Sequence, residues 1–321
     1  MVLQQVIEVI SILSPIVITI TLGFTLVKKN FLTHDFISEL NKLVFWVALP
    51  CLVVRSISTS SRIPDETLPL LSSFSLATIV VILLTALYTK LTGMKRFHHA
   101  AFIQGAFRGN LAFIAIPVIL IALRNKSASF VDSTLALTFF VFAPTMLIYN
   151  VTSVVLLVIG QKKQDNQQSQ LLSVIKSTAS NPLIIASFIG VLLFLLPVKL
   201  PESFNNTLGY IGKLAGPASL ICVGGSMAKV GLRGQLHLAG ISSCIKVFIL
   251  PLVAFIVSMF WGLDALSLFV LLILSASPTA VAGYIMVKAM HGDEDLASTN
   301  IVISTLLSII SLSCVLVFFP I

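Results

Sequence analysis

Charge is scarce in this sequence. Only 10% of its 321 residues are Asp, Glu, Lys or Arg, where a soluble globular chain carries roughly 25%. With 57% hydrophobic residues and a mean hydropathy of +1.06, water is not the solvent for most of its surface. Cysteine is also sparse: Cys51, Cys222, Cys244 and Cys314 lie in apolar sequence with no CxxC or histidine spacing, which excludes a disulfide frame or a metal site built on that pattern. A GxxxxGK[ST] phosphate loop is missing, so this chain does not itself drive an ATP-powered pump. There is no nucleophile–base pair, metal-spaced His/Cys cluster or carboxylate pair at membrane depth, so no enzyme is expected and no cofactor is called for. The net charge of +8 does not come from a basic stripe with interleaved aromatics, and nucleic acid is excluded as a partner.

Long apolar runs are what the sequence does have. Thr67–Thr89, Ser133–Gly160, Ser177–Val198, Ala265–Val287 and Leu296–Ile321 are uncharged and each exceeds the ~20 residues that cross a ~30 Å hydrocarbon core as a helix. Val9–Val27 is a sixth. Phe36–Ile57, Ala100–Leu123, Ser203–Ala228 and Leu238–Leu263 join them once one or a few charges are tolerated, which makes ten spans. The first positive charge, Lys28, follows the first run, so that run is expected to stay as a span and not to be cleaved as a signal.

The basic residues divide by connection. Odd connections hold Lys28, Lys29, Lys90, Lys95, Arg96, Lys162, Lys163, Lys176, Lys229, Arg233 and Lys288, and even ones Arg55, Arg62, Arg124, Lys126 and Lys199. The positive-inside rule then puts odd loops in the cytoplasm and both termini outside it. The polar stretch Gln161–Gln170, QKKQDNQQSQ, reads as a cytoplasmic linker. It divides the chain into 1–160 and 171–321, five spans each, so the second half enters with inverted topology. A shift of 167 residues, placing Pro15 on Pro182, Gly23 on Gly190 and Pro50 on Pro217, agrees with an inverted repeat.

The fourth span, Gly105–Pro117 (GAFRGNLAFIAIP), and the ninth, Leu274–Tyr284 (LSASPTAVAGY), carry polar residues and helix breakers at mid-membrane. Proline removes a backbone hydrogen bond and frees groups that lipid cannot satisfy, and paired breaks in matching spans point to a transporter's binding site. A packing kink is the plainer alternative. Arg108 lies near the centre of its span, where insertion costs ~2.5–3.5 kcal/mol, and none of the twelve acids is mid-span. The guanidinium must therefore meet water, carbonyls or an anion from solution. Its planar fork suits a carboxylate; snorkelling or capping of the broken helix is the other reading. Lys246, five residues before Pro251, also lacks an intramembrane acid and is placed at the same cavity. Lys42 and Lys213 read as snorkelling. Ser304, Ser308 and Ser311 form a polar stripe on the tenth span, read first as interhelical hydrogen bonding. His34, His98, His99, His237 and His291 fall in loops or at span ends, which disfavours a proton relay through carboxylates and imidazoles.

Six motifs run in order over nearly the whole chain: LNKLVFWVALPCLV (Leu40–Val53), FRGNLAFIAIPVI (Phe107–Ile119), NPLIIASFIGVLL (Asn181–Leu193), GPASLICVGGSMA (Gly216–Ala228), IKVFILP (Ile245–Pro251) and the segment Ser277–Ser308 beginning SPTAVAGYIMVKAMHG. Together they resemble the bacterial branch of the auxin efflux carrier family of permeases. That resemblance implies an all-α integral membrane fold like that of bile-acid/sodium symporters, with broken, crossing helices four and nine. It also implies a scaffold of spans one, two, six and seven that forms a homodimer, a moving core of the other six, and an organic anion as substrate. Asn110 matches the family's crossover asparagine and Lys246 its eighth-span cation. The expected substrate site is Arg108, Gly109, Asn110, Pro117, Lys246, Ser277, Pro278 and Thr279, working in an elevator-type secondary carrier with Na⁺ or H⁺ as coupling ion. The alternative is a membrane sensor that binds a solute without moving it.

Overall fold

The computed structural model describes residues 2–60, 62–160, 180–196, 200–230, 232, 234–289 and 291–321; the expected linker Gln161–Gln170 lies outside them. Fifteen α-helices are defined: α1 Val2–Lys28, α2 His34–Leu43, α3 Leu49–Ser58, α4 Thr67–Leu91, α5 Arg96–Phe107, α6 Ile116–Ala122, α7 Ala128–Gly160, α8 Pro182–Leu195, α9 Glu202–Gly212, α10 Ala215–Val230, α11 Leu236–Cys244, α12 Leu250–Ser258, α13 Ala265–Ala276, α14 Val281–Ala289 and α15 Glu294–Phe318. No β-strand occurs among the described residues. A helix is the element that satisfies every backbone group within one segment, as apolar runs in lipid require.

Among the described residues, seven helical stretches are long and apolar enough to cross a membrane: Val9–Lys28, His34–Ser58, Thr67–Leu91, Ala128–Leu157, Glu202–Ala228, Leu236–Ser258 and Glu294–Phe318. They coincide with seven of the ten expected runs. Two of the other three are interrupted, at Arg108–Asn110 and at Ser277–Ala280, and the third is described only as α8. Outer faces are apolar: on α4, Leu76, Leu83 and Leu87 are exposed while Leu70, Phe74, Ala77 and Val81 on the other side are fully buried. Apolar outside and apolar inside is the pattern of a chain solvated by lipid, and this is a multi-pass membrane protein.

Among the described residues, three five-residue turns of π type interrupt the spans, at Val44–Ala48, Leu111–Ala115 and Ile245–Ile249. Each ends two residues before a proline, Pro50, Pro117 or Pro251. The proline ring clashes with the carbonyl four residues back and offers no N–H, so the turn widens by one residue. In two of them the wide bond is explicit: Leu49 N–H donates to the Val44 carbonyl, and Leu250 N–H to that of Ile245.

The chain compacts into two units. One comprises Met1–Leu68, Ala112–Met146 and Ser177–Lys229, the other Pro69–Leu111, Leu147–Lys176 and Val230–Ile321, each through its described residues. In the first, α3 packs on α8 and α9, and α1 meets α10 backbone to backbone. A Cβ on Gly224 would lie 1.9 Å from the Ile20 carbonyl oxygen, and one on Gly23 2.3 Å from that of Ile221. In the second, α5, α11, α13 and α15 form the packed centre, and it contains the interrupted helices' meeting point.

Candidate functional site

Within the second unit, α5 and α13 end facing one another. Each has twelve residues, and each stops on an extended residue, Arg108 (φ −77°, ψ 96°) and Ser277 (φ −60°, ψ 142°). Ser277 precedes Pro278, which by itself pushes it out of helical geometry. The two interruptions pair as an antiparallel bridge between Gly109 and Thr279. Asn110 N–H donates to the Pro278 carbonyl at 2.7 Å, and Ala280 N–H to the Arg108 carbonyl at 2.9 Å. Gly109 is required by proximity, since a Cβ there would sit 2.6 Å from Ser277 Oγ.

Pairing across the break diverts N–H groups from the preceding turns, so the last carbonyls of both helices need other donors. At the end of α5, the Gln104 carbonyl takes the Arg108 N–H at 3.0 Å, and the Gly105 carbonyl takes the Thr279 hydroxyl at 2.7 Å. At the end of α13, Ile273 receives the Ser277 N–H, and Leu274, which faces the missing N–H of Pro278, receives the Ser277 hydroxyl at 2.7 Å. The Thr279 N–H, the usual donor for the Ser275 carbonyl, goes instead to Ser304 Oγ at 2.9 Å. Lys246 Nζ takes its place on Ser275 at 2.5 Å. The Gly105 and Leu274 carbonyls, 169 positions apart, are thus both closed by neutral hydroxyls, and the Ser275 carbonyl by a buried lysine.

Arg108 is 5% exposed and reaches α7. Its guanidinium donates to Asn150 Oδ1 at 2.8 Å, Ser153 Oγ at 2.9 Å and the Tyr149 carbonyl at 3.3 Å. All three acceptors are neutral, and among the described residues neither Arg108 nor Lys246 forms an ion pair. The Tyr149 ring, fully buried, lies against Phe107 and Phe74 and walls this side of the bridge. The site therefore holds two buried basic side chains beside a break in two helices, hydrogen-bonded and without an acidic partner among the described residues.

Arg108, Gly109, Asn110, Ser277, Pro278 and Thr279 are brought together, with Lys246 joined to them through Ser275. Pro117 is not among them: it is buried in the first turn of α6 and belongs to the first unit. Arg96 and Ala265 open the two interrupted helices and Phe107 and Ala276 close them, 169 positions apart in both cases. Ser304, read from sequence as interhelical glue, holds the bridge itself. Tyr149, Asn150 and Ser153 went unrecognised inside an uncharged run, although YNVTS (Tyr149–Ser153) is its most polar stretch. The buried polar seam behind the bridge was also missed. There, Ser242 Oγ donates to Phe102 O at 2.8 Å and Asn300 Nδ2 to Ala101 O at 3.2 Å, and both side chains crowd Gly105, where a Cβ would lie 2.1 Å from Asn300 Nδ2.

Residues 8–316 match the model of a family described as membrane transport protein. The uncharacterized transporter YfdV of Escherichia coli strain K12 is similar, 23% identical over 299 residues that cover 92% of each chain. The proteins of that name from Escherichia coli O157:H7 and Shigella flexneri match to the same extent. Together with the apolar helices, these matches establish a transporter, and the chain belongs to the auxin efflux carrier family of membrane transport proteins.

Proposed function

We propose that this protein is a secondary carrier for a small organic anion such as a carboxylate. The observation that carries this reading is Arg108: a guanidinium buried at a helix break and met, among the described residues, only by neutral acceptors. Neutral acceptors lower the cost of burying the charge without cancelling it, and burial of an unpaired charge is expensive. An arriving carboxylate supplies the missing charge and matches the guanidinium fork. Lys246 adds positive potential nearby.

In this reading the chain forms ten spans as two inverted five-helix repeats. Arg108, Gly109, Asn110, Ser277, Pro278 and Thr279 surround the anion, and Pro117 sets the direction in which span four continues. Spans one, two, six and seven serve as a dimeric scaffold for an elevator-type core. The protein sits in the inner membrane with both termini outside, driven by Na⁺ or H⁺ or by the membrane potential alone. The test begins with thermal-shift screening of the purified protein against mono- and dicarboxylates. With an anion identified, Arg108→Ala abolishes its movement in proteoliposomes while Arg108→Lys, a point charge without the fork, retains a fraction. Full transport by Arg108→Ala sinks the assignment.

A further inference from the structure

We infer that the Lys246 ammonium is a tethered substitute for a monovalent metal cation, holding the open carbonyl end of α13 so that this crossing assembles without Na⁺ or K⁺ from solution. The inference extends the carrier reading to its coupling ion and removes Na⁺ from that choice.

The argument starts from the break. A helix C-terminus carries a partial negative charge, and in discontinuous membrane helices such ends, with unwound carbonyls, are where coupling cations are coordinated. Here the end of α13 is deep in the second unit, with Ser275, Ala276 and Ser277 fully buried. Its Ser275 carbonyl has lost the Thr279 N–H to Ser304. What meets it is Lys246 Nζ at 2.5 Å, from a lysine that is 0% exposed and makes no ion pair among the described residues. An ammonium is a compact point charge with donors only, and to a carbonyl oxygen it presents what an alkali cation presents.

Closing a carbonyl does not by itself require charge. The Gly105 carbonyl on α5 is closed by the Thr279 hydroxyl, and the Leu274 carbonyl, the residue just before Ser275, by the Ser277 hydroxyl. Placing an ammonium where a hydroxyl would serve is costly unless its charge is used. The backbone is shaped for it as well. Lys246 lies in the π turn Ile245–Ile249 imposed by Pro251, and such bulges recur at functional sites.

The test uses the purified full-length chain in choline chloride at fixed ionic strength, titrated with NaCl, KCl or methylammonium chloride. For the wild type and Lys246→Arg, the Tm is expected to move by less than about 1 °C with any of the three. Lys246→Ala is expected to melt several degrees lower in choline and to recover saturably with at least one of them, because a ligand that binds only the folded state stabilises it. A saturable rise of the wild-type Tm with Na⁺ overturns the inference, as does a Lys246→Ala protein that no cation restores. Lys246→Gln guards against simple misfolding, since it keeps an uncharged donor, one bond shorter, on a side chain of comparable bulk. If it equals the wild type in choline, the charge is dispensable and the inference fails. Because this readout needs no substrate, thermal rescue of Lys246→Ala without any anion transport would count against the carrier reading alone.

Discussion

Thr279 shows how much of the crossing rests on single donors. Its hydroxyl closes the Gly105 carbonyl while its N–H is held by Ser304, so one residue ties α5 and α15 to the bridge. Thr279→Val keeps the shape and removes the donor, leaving a buried carbonyl unsatisfied. We expect a loss of about 1–3 kcal/mol, read as a lower Tm, with Thr279→Ser restoring most of it; equal losses in both variants would show that the methyl group matters instead. Gly105→Ala tests the same wall from the other side. The added Cβ meets both Asn300 Nδ2 and Ser242 Oγ, whose side chains are engaged with the carbonyls of Ala101 and Phe102, so overpacking of about 1–3 kcal/mol is expected. At this scale the sequence was legible where chemistry conflicts with environment. Arg108 and Lys246 stand out because a charge in an apolar run demands an explanation. Asn150 and Ser153 do not, because a small polar side chain is tolerated in a membrane helix and their partner Arg108 lies 42 and 45 residues away along the chain.

Elements were legible through their prolines, but only to a point. Pro117, Pro251 and Pro278 mark where spans four, eight and nine are disturbed, yet the same residue type widens a turn in two cases and breaks the helix in the third. The difference lies in the surroundings. Pro278 follows Ser277 in extended geometry and its carbonyl is taken by Asn110 across the bridge, whereas Leu250, just before Pro251, reaches back to Ile245 and the span continues. Hydropathy cannot register this, since a π turn changes the count by one residue and leaves composition untouched. The consequence is testable. Pro251→Ala lets Ile245–Ile249 relax to α geometry, which shifts the register by one position, rotates the residues before it by about 100° and takes Lys246 off the Ser275 carbonyl. Transport should fall by at least about tenfold, equivalent to roughly 1.4 kcal/mol, whereas Pro50→Ala, whose π turn holds no ionisable residue, should have a much smaller effect. Equal losses would mean that the bend, not the placement of Lys246, is what the proline supplies.

At the scale of the whole molecule, the helices do not compact as the order of the chain suggests. Each of the two units draws on both halves, and α7 passes from one to the other between Met146 and Leu147. Lengths and charges along a line report spans and their orientation; which spans gather together depends on contacts such as α1 with α10 that no local pattern records. Orientation is therefore the whole-molecule property where sequence makes its strongest claim. Eleven basic residues in the odd connections against five in the even ones predict that the loop after α4 lies inside and the loop after α6 outside. Lys95 and Lys126 are exposed in those two loops. In a background with Cys51, Cys222, Cys244 and Cys314 replaced, a membrane-impermeant maleimide applied to intact cells should label Lys126→Cys and spare Lys95→Cys until the membrane is permeabilised. The reverse pattern would place both termini inside. The answer bears on mechanism, because orientation decides which mouth of the carrier faces the cytoplasm. An inside-negative potential of 100 mV favours expulsion of each net negative charge by ~2.3 kcal/mol, so a carrier moving a bare anion runs outward by default, and inward transport requires a co-transported cation.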